Sequence, residues 1–204
     1  MDFSHWLSLV TICLLGAMSP GPSLAMVLRH SLAGGRRYGF AVAWAHACGI
    51  GFYAWLTLTG LAALLAQSPR LFAVISYAGA AYLAYLGIKA LRSRGGIDQQ
   101  LKSGDSMPVS RAMRDGLMIS LLSPKIALFF IALFSQFIAL DNSAMSRSVL
   151  VVTPLLVDGL WYSLVTLLIS SPLLLQRLRL QAKTIDRLSG VVLIALAARV
   201  VWGV

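Results

Sequence analysis

Three side chains and two backbone breaks carry the chemistry this sequence could do: Asp158, Lys125 and His46, with the stretches Ser19-Pro20-Gly21-Pro22-Ser23 and Ser123-Pro124-Lys125. All of them sit inside long apolar runs. A carboxylate at the centre of a bilayer costs about 2.5–3.5 kcal/mol on insertion scales, so Asp158 is expected to face a cavity or a partner and to carry a proton or bind a substrate amine. The plainer alternative is a carboxylate fixed by Lys125, a serine or backbone donors. Lys125 reads equally as a counter-charge for a substrate carboxylate or for Asp158, and as a lysine whose long stem lets its ammonium reach cavity water. His46 has a side-chain type that relays protons near neutral pH. Set among Ala45, Ala47 and Cys48, it also reads as a hydrogen-bonded packing residue.

The breaks supply the opposite charge. Pro20, Pro22 and Pro124 remove backbone donors and disfavour helix in the residue before each. In hydrocarbon the freed carbonyls are tolerated only where they are buried in protein or line a wet cavity. Ser19 and Ser123 read as N-caps with proline at the first helical position, where no amide donor is needed. Two half-helix N-termini would then point free amides and partial positive charge at one place, a site suited to a carboxylate. Gly21 permits close backbone approach, and Ser23 follows Pro22 in the same turn. A proline kink explains either break singly; two at matched depth call for a site.

The elements that position these groups follow from composition. Of 204 residues, 58% are hydrophobic and 12% charged, and the mean hydropathy is +0.81. That describes an all-α, polytopic membrane protein. Apolar runs near 6 to 28, 39 to 66, 71 to 91, 115 to 140, 148 to 172 and 186 to 204 are long enough for six spans. The net charge of +10 resides in short loops rather than on one continuous face, which argues against nucleic acid. Arg29, Arg36 and Arg37, then Lys89, Arg92, Arg94, Lys102, Arg111 and Arg114, then Arg177, Arg179, Lys183 and Arg187 occupy alternate loops. By the positive-inside rule that side is cytoplasmic, so both termini are expected outside, with Trp6 and Trp202 in the aromatic belt there. The first run lacks a basic lead and a small-x-small cleavage site, and reads as retained. Cys13 and Cys48, well separated within apolar runs, read as small core residues, and neither a metal nor a cofactor is implied.

The stretch 93 to 110, with Gly95, Gly96, Gly104 and Pro108, reads as a cytoplasmic linker between repeat A (1 to 92) and repeat B (111 to 204) of a single transmembrane domain. Three spans per half make the second half enter from the opposite side, so any repeat is inverted. Ser19-Pro20 is answered by Ser123-Pro124, Ser68-Pro69 by Ser171-Pro172, and Gly79 by Gly190. At about 1.5 Å per residue, Pro20, Pro124, His46 and Asp158 all fall near the middle of a ~30 Å core. Gly39, Gly49, Gly51, Ala43 and Ala47 give the second span a small-residue surface for close packing. Tyr53, Trp55, Trp161 and Tyr162 either line a path or pack.

The motif Ser19-Pro20-Gly21-Pro22, with Gly35-Arg36-Arg37-Tyr38-Gly39-Phe40, Ser123-Pro124-Lys125-Ile126-Ala127-Leu128-Phe129-Phe130 and Ser135-Gln136-Phe137, resembles the lysine-exporter (LysE/RhtB) superfamily of bacterial amino-acid exporters over essentially the whole chain. That family usually has Asn where Ser123 stands and Pro where Ser135 stands. The resemblance implies export of amino acids or similar small zwitterions across the bacterial inner membrane, driven by protons. A homodimer is compatible with the sequence, though no feature demands it. The competing readings are an intramembrane hydrolase using Asp158 and His46, and a structural or sensory subunit. The first lacks any glutamate, paired acids, an H-E-x-x-H or a Gly-x-Ser-x-Gly elbow; the second leaves the costly polarity at depth unexplained.

Overall fold

The computed structural model describes residues 2–19, 21–92, 108–138, 143–169, 184, 187–188, 190–191 and 193–202. All elements among them are helical: α1 (Phe3–Met18), α2 (Pro22–Gly34), α3 (Arg36–Gln67), α4 (Pro69–Leu91), α5 (Val109–Leu121), α6 (Pro124–Ile138), α7 (Ala144–Ile169) and a short α8 (Leu193–Trp202). The protein is a multi-pass membrane protein. Arg36–Leu61, Arg70–Lys89 and Ala144–Ile169 are each long and apolar enough to cross a bilayer, and five candidate spans result if α1–α2 and α5–α6 each count as one broken span. Of the last of the six runs read from sequence, the described residues include α8 and the helical positions 187–188 and 190–191. Most of the linker, Ser171-Pro172 and the basic residues Arg177, Arg179 and Lys183 lie outside the described residues.

Helix α7 illustrates the layout. Val152, Leu156, Leu160, Leu164 and Leu167 form its exposed stripe, whereas Leu150, Pro154, Asp158, Tyr162, Val165 and Ile169 are buried. In water this would be an inverted protein; beside lipid, the apolar stripe is the outside. Helix α3 likewise turns Trp44, Phe52, Trp55 and Leu56 outward, and Cys48 is exposed on it. Reading Cys48 as a core residue was therefore wrong: it falls on the outward arc of a helix whose inward arc carries Ala43, Ala47, Ile50 and Ala54.

Small residues set how closely α3 approaches its neighbours. A Cβ at Gly116 of α5 would come 2.6 Å from the Val42 carbonyl oxygen, and Gly49 leaves room for the Ser120 hydroxyl. Because Ala112, Gly116 and Ser120 recur every four residues on the buried side of α5, the two backbones meet along a whole face. At the far edge, Gly190 lies against Gly87 of α4, where a Cβ on either would come within 2.7–2.8 Å of the other's carbonyl oxygen. Gly79, aligned with Gly190 by sequence order, packs on Ala132 of α6.

Both spans break where the prolines lie. The axes of α1 and α2 meet at 63° and those of α5 and α6 at 53°. One detail corrects the sequence reading. Ser19 terminates α1, its N–H donating to the Leu15 carbonyl, and the N-cap of α2 is Gly21 with Pro22 at the first helical position. Of the two prolines, the second is thus the one that opens the half-helix, in keeping with the preference of proline for that position. Pro20 lies outside the described residues. At the second break Ser123 does precede the helix, with its hydroxyl 3.4 Å from the Ile126 amide.

Candidate functional site

The two breaks meet. The Lys125 ammonium, one residue into α6, donates to the Ser19 hydroxyl at the end of α1 across 3.4 Å, and a Cβ at Gly21 would lie 3.7 Å from the same nitrogen. With φ and ψ both at −173°, Gly21 is in extended backbone that any residue adopts, so its lack of a side chain matters for the space it leaves beside Lys125. By helix geometry the amides of Ser23 and Leu24 in the first turn of α2 have no carbonyl behind them, while Ala25 already donates to Gly21.

Beside the breaks, α3 and α7 bring in the acid. The Asp158 Oδ2 atom lies 2.7 Å from His46 Nδ1, and His46 Nε2 lies 2.9 Å from the Ser23 hydroxyl. Only 2% of the His46 side chain and 8% of the Asp158 side chain are exposed. A charge taken this far from water needs a partner, and the partner for this carboxylate is the imidazole. The result is a hydrogen-bonded line from α7 through α3 to the start of α2. Such a line can hand a proton between its ends as the imidazole exchanges donor and acceptor roles. Tyr162, one turn after Asp158, sets its ring edge-on to His46 with centroids 5.4 Å apart and donates its hydroxyl to the Ala17 carbonyl at 3.3 Å. That carbonyl belongs to the last turn of α1, where helix geometry leaves acceptors unfilled.

These groups border one cavity of about 510 Å³, lined by Ser19, Gly21, Pro22, Ser23, His46, Ser123, Lys125, Asp158 and Tyr162 among others. Cys13, Ile50, Leu86, Ile119, Phe129 and Leu193 give it a largely apolar wall. Every site residue read from the sequence whose side chain is described borders this space; the Pro124 backbone opens α6, and Pro20 is not among the described residues. Cys13, read as packing, is a wall residue too.

Four contributors were not singled out from sequence as site residues. Tyr162 was weighed mainly as packing. Pro154, buried inside α7, lines the cavity four residues before Asp158. Asp115 lines it as well, and its Oδ2 atom accepts from His30 Nε2 at 3.2 Å. The available signal was spacing: His30 follows the first break at about the distance by which Asp115 precedes the second.

The sequence profile of the LysE type translocator family matches residues 14–203. A leucine efflux protein of Enterobacter sp. (strain 638) is 31% identical over 185 residues, which cover 88% of this chain and 87% of that one. A leucine efflux protein of Salmonella choleraesuis (strain SC-B67) is 31% identical over 135 residues, covering 66% and 63%. A Vibrio cholerae membrane protein described as uncharacterized is 30% identical over 138 residues, covering 68% and 67%. No solved structure matches the chain. With a family match spanning nearly its whole length, the chain belongs to the LysE type translocators and is a transporter rather than an enzyme.

Proposed function

We propose that this protein exports amino acids with apolar side chains, leucine among them, from the cytoplasm in exchange for protons. The observation that carries this reading is the cavity, where two half-helix starts and Lys125 stand beside an acid and an apolar wall. The substrate carboxylate docks at the first-turn amides of α2 and at Lys125 at the start of α6. Its ammonium turns to Asp158, and its side chain lies against Ile50, Ile119 and Phe129. A volume of about 510 Å³ is within the ordinary range for small-molecule sites. The names of the leucine efflux relatives support the choice of substrate.

Protonation of the Asp158 and His46 pair from outside weakens the hold on the ammonium, releases the substrate and resets the carrier. The architecture that serves this cycle is six spans in two inverted halves of three, with both termini outside and the basic loops in the cytoplasm. It is supported by the paired broken spans and by the alternation of basic loops. The test is Asp158→Asn in proteoliposomes loaded with labelled leucine under an imposed pH gradient. Gradient-driven efflux is expected to fall at least about tenfold, the equivalent of ~1.4 kcal/mol, while exchange without a gradient persists. Undiminished gradient-driven efflux would overturn the coupling role.

A further inference from the structure

Two contacts tie α1–α2 to α5–α6 on either side of the breaks, and they differ in kind. On one side the ring of Phe129 in α6 lies against Gly16 of α1, where a Cβ would come 3.2 Å from it. On the other side α2 and α5 are joined by His30 and Asp115, 3.2 Å apart. At about 1.5 Å per residue, His30 is roughly 12 Å along α2 from Pro22 and Asp115 roughly 13 Å along α5 from Pro124. Both lie toward the end that carries Arg36, Arg37, Arg111 and Arg114, the end assigned above to the cytoplasm. The His30 side chain is 6% exposed and that of Asp115 32%, so the pair is reached from the cavity chiefly through the carboxylate.

We propose that the His30 and Asp115 pair is a latch across the cytoplasmic mouth of the cavity, and that Asp115 is the first carboxylate to take the ammonium of an incoming amino acid. The proposal rests on the export reading for its substrate and on the geometry for the latch. While His30 donates to Asp115, α2 and α5 are held together below the site. An ammonium group offers the same carboxylate up to three donors and a full charge, so it can displace the imidazole and let the two half-helices part. The mouth then opens in response to the group it must admit. The Gly16 and Phe129 contact on the opposite side contains no ionisable group.

The experiment measures access to the cavity and needs no transport. In a Cys13→Ala, Cys48→Ala background, Met26→Cys places a thiol on α2 in the cavity lining, between the break and His30. Labelling by a membrane-impermeant sulfonated maleimide is followed in inside-out and right-side-out vesicles. With the native pair, labelling from the cytoplasmic face is slow; Asp115→Asn and His30→Gln are each expected to speed it about tenfold, in proportion to the open population, with no change from the outer face. The exchanged pair, His30→Asp with Asp115→His, restores slow labelling. Unchanged rates in both single variants would overturn the latch, and so would equal acceleration from both faces, which marks a general loosening. In proteoliposomes Asp115→Asn should raise the KM for leucine several-fold with a maximal rate within about twofold; an unchanged KM removes the ammonium role. If the native protein exports none of a panel of amino acids, the export reading fails, the ammonium role falls with it, and the labelling arm still decides the latch.

Discussion

Lys125 carries most of the weight at the scale of single residues, because it stands at the start of α6 and reaches across to the end of α1. If it receives the substrate carboxylate, Lys125→Met deletes a charge-assisted hydrogen bond worth about 1.5–3 kcal/mol. The KM for leucine should then rise roughly ten- to a hundredfold, whereas Lys125→Arg keeps the charge and should lose less. Uptake into vesicles measured over a range of leucine concentrations decides this; equal effects of Met and Arg would reduce the lysine to a packing role. Asp158 was legible in the sequence because a carboxylate in hydrocarbon demands a reason. Its partner was not: sequence offered Lys125, serine or backbone donors, and the structure supplies His46. Depth along a helix follows from counting, but which groups face each other depends on the rotation of two helices about their axes. The Cys48 misreading has the same origin.

Between helices, the close approach of α3 to α5 makes a sharp prediction. Gly116→Ala would press a methyl into the Val42 carbonyl, which as backbone cannot yield, so a destabilisation of about 1–3 kcal/mol is expected. Gly60, in the same α3, has nothing within 4 Å of a Cβ; Gly60→Ala should be neutral or stabilise by about 0.5–1 kcal/mol. Thermal unfolding in detergent, followed by fluorescence, compares them, and similar midpoints would refute this account of the crossing. The breaks themselves were readable from proline chemistry, although the residue that opens α2 was misplaced by two positions. Two prolines flank Gly21, and only the geometry of the turn says which of them starts the helix. Pro154 left no comparable mark in the sequence, since a single proline in a membrane helix is ordinary. Lying one turn before Asp158, it withholds a donor from the Leu150 carbonyl a further turn back, which makes α7 most easily bent just ahead of its acid.

At the scale of the whole molecule, composition identified the class and the prolines indicated where the cavity would lie. Six runs were read, and among the described residues the helices make up to five candidate spans together with the short α8 within the sixth run. Reporter fusions test the proposed arrangement. A periplasm-dependent phosphatase fused after Val204 should be active, and one fused within residues 93–107 inactive; the reverse pattern would invert the carrier and with it the assignment of the latch to the cytoplasm. There is also a consequence for how the protein is made. Lys125 and Ser19 are 106 positions apart, and His46 and Asp158 are 112 apart. At about 5–20 residues per second of synthesis, a nascent chain waits on the order of ten seconds with His46 and Ser19 already formed and their partners not yet translated. On the proposed reading the site is incomplete during that interval, so substrate would recognise only the finished protein, and at about a hundredfold excess over its Kd it would favour the assembled form by ~2.7 kcal/mol. The cargo of such a carrier would double as a check on its biogenesis.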